Sequence, residues 1–158
     1  MTITTSPTTA RPTPDTMPLP AALLGAAGAL PFVVLVIAPY LNLEPFGFPP
    51  LKVLGLYAGI ILAFMGAIHW GLAMAAAGRR DTTWQYIVSV LPALLGWFSL
   101  AFLPPPVALR VMAFAFATLL LYDLRAIRLG RAPVWYGRLR WPLTLIVVPC
   151  LLWASIRT

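Results

Sequence analysis

The sequence predicts an all-α, polytopic integral membrane protein, a bundle of five transmembrane helices. Hydrophobic residues make up 61% of the 158-residue chain, charged residues make up only 9%, and five long apolar runs alternate with short polar or proline-containing segments. Soluble domains are about 45–50% apolar and about 25% charged, so this composition is typical of a chain that is solvated by a bilayer.

The apolar runs set the approximate boundaries of the spans. Residues 1–18 are rich in threonine and proline and are expected to form a disordered tail, because nothing there can bury apolar surface. In the remaining domain, residues 19–158, the spans are predicted at about 19–41, 51–77, 83–103, 107–124 and 141–156. The last run is short and contains Pro149, so it reaches the thickness of a bilayer only by including the aromatic residues before it.

The basic residues predict an orientation. Eight of them lie on the side of the amino terminus and of the loops after spans two and four, and three lie on the other side. The positive-inside rule therefore places the amino terminus in the cytoplasm and the carboxy terminus outside. The predicted location is the cytoplasmic (inner) membrane of a bacterium. The net charge of +7 is concentrated at span ends, which indicates contact with anionic lipid headgroups at the Arg125–Arg140 loop and not nucleic-acid binding.

Small residues recur at every fourth position of the second span. The row consists of Gly55, Gly59, Ala63, Ala67 and Gly71. A row with this spacing forms an inclined ridge that lets another helix approach closely. We expect it to serve helix packing.

The single histidine, His69, lies inside the second span, where a polar side chain is costly. If spans two and three form a hairpin, His69 lies level with Pro92, and either Ser89 or the carbonyl that Pro92 frees would accept its hydrogen bond. The alternative is a functional site for a proton, a quinone headgroup or a porphyrin, with Trp70, Ser89 and Trp97 as further ligand-binding residues. No cofactor is predicted, since haem would need a second axial histidine from another chain.

Asp123 stands at the end of the fourth span and is followed by many arginines. We expect it to form a structural ion pair with Arg138 or Arg140, because charges inside a membrane usually pair. One histidine, one cysteine and four acidic residues leave little material for hydrolytic or metal chemistry. The sequence therefore predicts neither a catalytic residue nor a metal site.

Several short motifs occur in order along residues 19–156. They are Gly66-x-x-His69-Trp70-Gly71, then Leu91-Pro92 with Gly96-Trp97, then Asp123, and finally Trp135-Tyr136-x-x-Leu139-Arg140-x-x-Leu143-Thr144. Their combination resembles the transmembrane protein 69-like family, a domain of unknown function found in bacteria and mitochondria. The resemblance implies a small multi-span membrane protein, and it brings no activity, ligand or site residues.

Two functions fit these observations. The first is that of a non-catalytic accessory or assembly partner of a larger membrane protein complex, which would use the row of small residues and the basic loop as contact surfaces. The alternative is a binder or carrier of a small hydrophobic ligand, a quinone, porphyrin or lipid, in an intramembrane pocket around His69.

Overall fold

The computed structural model describes residues 16–44, 47–76, 78 and 82–157, and these residues form a bundle of helices. Residues 1–15 of the predicted disordered tail lie outside the described residues. The helices are α1 (Leu19–Ile37), which continues into a short 3-10 helix (Ala38–Leu41), α2 (Pro50–Ala76), α3 (Thr83–Phe102), α4 (Pro105–Arg128) and α5 (Val134–Ser155). The described part of the chain contains no strand, so the all-α prediction is confirmed.

Four segments of the described chain are long and apolar enough to cross a membrane. They are Leu19–Leu41, Pro50–Ala76, Thr83–Phe102 and Pro105–Arg128. Helix α5 is not among them: it includes two arginines and two internal prolines. A multi-pass helical membrane protein is thus confirmed, whereas the fifth span and the orientation remain predictions.

The connection between α4 and α5 is shorter than predicted. Gly130 adopts a left-handed conformation (φ 64°). The Arg131 N–H donates to the Ala126 carbonyl, and the Gly130 N–H donates to the Ile127 carbonyl. This double closure is a Schellman motif, which satisfies the last carbonyls of α4. Pro133 then precedes the first turn of α5, which begins at Val134 and not near residue 141. Most of the expected Arg125–Arg140 loop is therefore helical.

Helices α2 and α3 pack most closely where glycines face each other. A Cβ atom added at Gly96 would lie 3.3 Å from the Gly59 Cα, and one added at Gly66 would overlap the Ser89 carbonyl oxygen. Close approach of two helix backbones is what small residues permit inside a membrane. Gly55 and Gly59, the first members of the predicted row, face the Leu100 side chain of α3.

The second half of the predicted row does not pack. Ala67 is exposed, and a Cβ atom added at Gly71 would meet nothing within 4 Å. An α-helix has 3.6 residues per turn, so a row with strict four-residue spacing gradually leaves one face of the helix. A row that alternates three- and four-residue steps stays on one face. The buried row of α2 accordingly passes from Gly59 through Leu62 and Gly66 to His69. Ala67 and Gly71 therefore do not pack inside the bundle, and a helix contact at these two positions remains a prediction.

Helix α1 packs against α2 and α5 on the other side of the bundle. The fully buried Phe32 ring lies 5.0 Å from the Tyr57 ring of α2 and 6.2 Å from the Phe116 ring of α4. The Tyr57 hydroxyl donates a 2.8 Å hydrogen bond to the Gly28 carbonyl. These contacts fix the middle of α1 against the bundle and place its first half beside α5.

Candidate functional site

Three buried polar side chains from three helices meet inside the bundle. His69 Nε2 of α2 lies 2.6 Å from Asp123 Oδ1 of α4, and Arg140 Nε of α5 donates to Asp123 Oδ2 at 2.5 Å. His69 and Asp123 are 0% exposed, and Arg140 is 3% exposed. Such a cluster needs complete pairing, because a lone charge inside an apolar bundle is strongly destabilising.

The helices position these side chains by simple spacing. His69 follows Gly66 on the buried row of α2, and its ring packs edge-on against Tyr122 at 4.7 Å. Asp123 is the residue after Tyr122 and points inward from the last turns of α4. Arg140 lies on the buried face of α5 and also donates from Nη1 to the Met65 sulfur at 3.0 Å.

The hydrogen bonds determine which ring nitrogen of His69 carries the proton. The Asp123 carboxylate only accepts hydrogen bonds, so the facing Nε2 atom is the donor. In the neutral imidazole, Nδ1 is then an acceptor. One carboxylate and one guanidinium balance each other, so the cluster carries no net charge when the imidazole is neutral.

Several other buried polar atoms are left without partners. In the part of the chain that the structure describes, six buried side-chain atoms have no hydrogen-bond partner: His69 Nδ1, Gln85 Nε2, Ser99 Oγ, Tyr136 OH, Arg140 Nη2 and Thr144 Oγ1. Buried polar groups are nearly always bonded, so each exception calls for an explanation. Three of the six belong to α5.

A cavity of about 510 Å³ adjoins these three residues of α5, although each of their unpartnered atoms exposes less than 1 Å². It lies between α1, α2 and α5, and its wall includes Tyr136, Arg140 and Thr144. These residues recur at every fourth position, so their side chains lie on one face of α5. Most of the remaining wall is apolar, and Phe32 and Met65 are part of it.

The cavity reaches the outer surface of the bundle. Its wall includes Leu24 of α1, which is 73% exposed, and Phe64 of α2, which is 60% exposed. In a membrane this rim would face lipid chains. A molecule with an apolar tail could thus enter from the side, with its polar end at Arg140.

A second groove of about 550 Å³ between α3 and α4 differs in chemistry. It is lined almost wholly by apolar side chains, and the Thr118 hydroxyl on its wall donates to the Phe114 carbonyl of its own helix. None of the six unpartnered buried atoms among the described residues lies on its wall. Of these two spaces between described helices, the cavity beside α5 is the one whose wall includes a charged residue, Arg140.

The structure brings together some of the predicted site residues. Asp123 and Arg140 form the expected ion pair, whereas Arg138, the other predicted partner, is exposed. The expected partner of His69 was wrong, because Ser89 donates to the Tyr86 carbonyl of its own helix and the imidazole turns to Asp123.

The predicted pocket around His69 is not formed by the predicted residues. Trp70 is 46% exposed and packs on Tyr86, while Trp97 is 62% exposed and packs on Phe102. Neither tryptophan lines the cavity beside α5, and neither does Ser89. Adjacent positions on a helix point about 100° apart, so Trp70 leaves α2 in a different direction from His69.

Tyr136 and Thr144 were not predicted as site residues. Both occur in the last of the short motifs, and with Arg140 they begin a row of buried positions, spaced by three or four residues, that continues into Val147 and Leu151. That period was a detectable signal of one buried face. It was hidden because the helix was expected to begin only near residue 141.

The described residues contain no group of three or more histidine, cysteine, aspartate or glutamate side chains that could hold a metal ion. His69 Nε2, the nitrogen that a haem iron would need, is engaged by Asp123, and Nδ1 is enclosed in the bundle.

Comparisons with known proteins agree with the architecture. The family described as "protein of unknown function (DUF3429)" matches residues 17–156. Transmembrane protein 69 of Xenopus tropicalis is 34% identical over 137 residues, which cover 83% of this chain and 51% of that protein. The chain thus spans about half the length of this relative. No solved structure matches the chain.

Proposed function

The chain belongs to the transmembrane protein 69-like (DUF3429) family, whose function is unknown, and we propose from its geometry that it binds and holds a small hydrophobic ligand. The ligand would occupy the cavity between α1, α2 and α5. One observation carries the proposal: a mostly apolar cavity of about 510 Å³ opens at the outer surface of the bundle, and its wall includes the charged residue Arg140.

The size of the cavity suits this role. Pockets for small molecules and cofactors hold about 300–1,000 Å³ and are mostly apolar with a few convergent polar groups. The volume of about 510 Å³ falls inside this range. A headgroup with part of an apolar chain would fit, and the rest of the chain would leave past Leu24 and Phe64. In this proposal the chain holds the molecule without transforming it.

Native mass spectrometry on the full chain in mild detergent tests the proposal. We expect wild-type protein to retain one small apolar molecule per chain. Gly28 lines the cavity, and a Cβ atom there would meet only the Tyr57 hydroxyl at 3.9 Å, so Gly28→Phe should fill the space and lower the retained fraction at least fivefold. Gly71→Phe, at a position with open space outside the cavity, is the matched control.

Either of two results would oppose the proposal. Wild-type protein without any retained molecule would remove its basis. Equal retention by the wild type and Gly28→Phe would show that the molecule binds elsewhere, for example on the outer surface. If Gly28→Phe fails to accumulate, Gly28→Leu takes its place, because its smaller side chain fills less of the same space.

An accessory role in a membrane complex is the second candidate. The exposed end of the predicted small-residue row supports it, because Gly71 leaves open space in which another helix could approach. We expect a partner chain to co-purify with the wild type in fixed ratio. Gly71→Leu should lose this partner, and Gly28→Leu should keep it. A single chain without partners, in a detergent that preserves complexes, would argue against this role.

Exposed arginines at one end of the bundle are candidates for contact with lipid headgroups. Arg125, Arg128 and Arg138 are exposed near the α4–α5 connection. We propose that they contact anionic headgroups on the cytoplasmic face of a bacterial inner membrane, in line with the positive-inside rule. Replacing Arg125 and Arg128 by glutamine should lower the co-purified phosphatidylglycerol, whereas unchanged amounts would contradict this contact.

A further inference from the structure

We infer that a second site, at the end of the bundle opposite the α4–α5 connection, binds the phosphate group of a phospholipid. The site is a cavity of about 220 Å³ between α1, the 3-10 helix, α2 and α5. Tyr40, Trp153 and Arg157 are on its wall, and none of its wall residues lines the cavity beside α5. This second site is therefore independent of the proposed function.

Two aromatic rings hold the Arg157 side chain at this cavity. Its guanidinium carbon lies 5.1 Å from the centre of the Trp153 ring and 5.5 Å from the centre of the Tyr40 ring. The Trp153 indole N–H donates a 3.0 Å hydrogen bond to the Tyr40 hydroxyl, which fixes the two rings relative to each other. Aromatic rings attract a guanidinium within about 6 Å of their centres. Because the N–H groups lie in the guanidinium plane, they still point outward to an acceptor.

The donors at this site are accessible. Arg157 is exposed, Tyr40 is 54% exposed and Trp153 is 46% exposed. Neither Glu44 nor Asp123, the two acidic side chains that the structure describes, forms an ion pair with Arg157, and no other described residue accepts a hydrogen bond from its guanidinium. Since the Tyr40 oxygen accepts from Trp153, its own O–H remains to donate. The wall thus presents a positive charge and several donors to an occupant.

The donors determine the chemical class of the ligand. An arginine presents N–H groups in a planar fork that matches two oxygens of a phosphate or carboxylate. A cationic ligand would be repelled by Arg157, and a neutral one would leave its charge without a counter-ion. The occupant is therefore an oxyanion, and its remaining oxygens can accept from Tyr40.

The position of the cavity identifies the oxyanion as a lipid phosphate. Tyr40 is the next-to-last residue of Leu19–Leu41, and Leu51 is the second residue of Pro50–Ala76, two segments that are long and apolar enough to cross a membrane. The cavity therefore lies where both segments reach the membrane surface, which is also where tyrosine and tryptophan rings are enriched. Phospholipid headgroups carry their phosphates at this level. Free phosphate has the same acceptor oxygens, and the experiment separates the two sources.

Matched lipids test the site. The full-length chain carries Arg125→Gln and Arg128→Gln, which weaken headgroup contact at the opposite end, and it is stripped of lipid in dodecyl maltoside, a detergent without phosphate. Native mass spectrometry then measures its binding of dioleoyl phosphatidylglycerol and of dioleoylglycerol, which has the same chains and no phosphate. We expect phosphatidylglycerol to bind about tenfold more tightly, because hydrogen bonds between charged groups are stronger than neutral ones. Millimolar inorganic phosphate should not displace it.

Two substitutions of Arg157 separate recognition from simple attraction. Arg157→Lys keeps the charge but loses the planar fork, so it should weaken phosphatidylglycerol binding about three- to tenfold. Arg157→Gln should weaken it at least as much. The matched control is Lys52→Gln, because Lys52 lies over the Phe48 ring at the same end of the bundle and is not on the cavity wall. It removes the same charge and should change binding by less than about twofold.

Several results would overturn the phospholipid site. Equal binding of phosphatidylglycerol and dioleoylglycerol would exclude the phosphate as the recognised group. Equal losses in Lys52→Gln and Arg157→Gln, or undiminished binding by Arg157→Lys, would show that surface charge alone attracts the lipid. Displacement of the lipid by millimolar inorganic phosphate would make free phosphate the ligand in place of a lipid.

Discussion

His69 Nε2 and Asp123 Oδ1 lie 2.6 Å apart, which joins the interior of α2 to the last turns of α4 across 54 residues of chain. The other oxygen of the same carboxylate accepts from Arg140 of α5. One acidic side chain thus holds three helices together and orients Arg140, which is a residue of the cavity wall. The polar cluster and the cavity are therefore parts of one arrangement.

Asp123→Asn should destabilise the bundle more than any other single polar substitution. It leaves the Arg140 guanidinium buried without a counter-charge, and breaking a buried ion pair on one side costs about 3–5 kcal/mol. Unfolding in detergent, followed by tryptophan fluorescence, measures the loss. Glu44→Gln, which makes the same chemical change at an exposed position, is the control. A similar small effect for both variants would contradict the role of the cluster.

His69→Phe should be milder than Asp123→Asn. It removes one donor to the carboxylate but leaves the ion pair with Arg140 in place, so a loss of about 1–3 kcal/mol is expected. The same unfolding assay ranks the two variants. In a double-mutant cycle the two changes should be less than additive, because they share one hydrogen bond. Strict additivity would mean that the imidazole and the carboxylate do not interact.

Gly66→Ala should loosen the contact between α2 and α3. The added methyl group would overlap the backbone carbonyl of Ser89, which cannot rotate away, so the helices must separate. Overpacking of this kind costs about 1–3 kcal/mol. Gly71→Ala is the matched control on the same helix and should be neutral or stabilising by up to about 1 kcal/mol, because alanine favours a helix. Equal thermal stability of the two variants would refute this contact.

The fifth span gives a topological prediction. If α5 crosses the membrane, residues before and after it lie on opposite sides. In a Cys150→Ala background, Leu129→Cys and Arg157→Cys place single thiols at exposed positions beyond the two ends of α5. An impermeant maleimide should label Arg157→Cys in intact cells and Leu129→Cys only in inverted vesicles. Labelling of both from the same side would show that α5 does not span.

Composition and apolar runs were sufficient to predict a helical membrane bundle, because only a chain surrounded by lipid has so many apolar and so few charged residues. The ends of α4 and α5 differ from the predicted span ends because the arginines and tryptophans of residues 125–141 are typical of a segment at the membrane surface, not of a span. In fact Gly130 and Pro133 mark the turn, as stop and start signals for helices usually do.

The ion pair of Asp123 with Arg140 was among the pairs expected from the sequence, because a buried charge must find a partner nearby. The addition of His69 was not foreseen, since it depends on how α4 packs beside α2 rather than on the neighbouring helix α3. The cavity was equally out of reach. Empty space between helices arises from their relative placement, which a linear pattern does not contain.

The measurement that tests the central claim most directly is the thermal stability of the wild type and of Gly28→Phe, each determined after gentle purification and again after the retained molecule is stripped away. In the wild type, stripping should lower the melting temperature by at least about 2–4 °C, because a molecule that binds only the folded state stabilises it. In Gly28→Phe, stripping should change the melting temperature little, because the phenyl ring occupies the cavity that Gly28 lines. An equal loss in both proteins would contradict a ligand in this cavity.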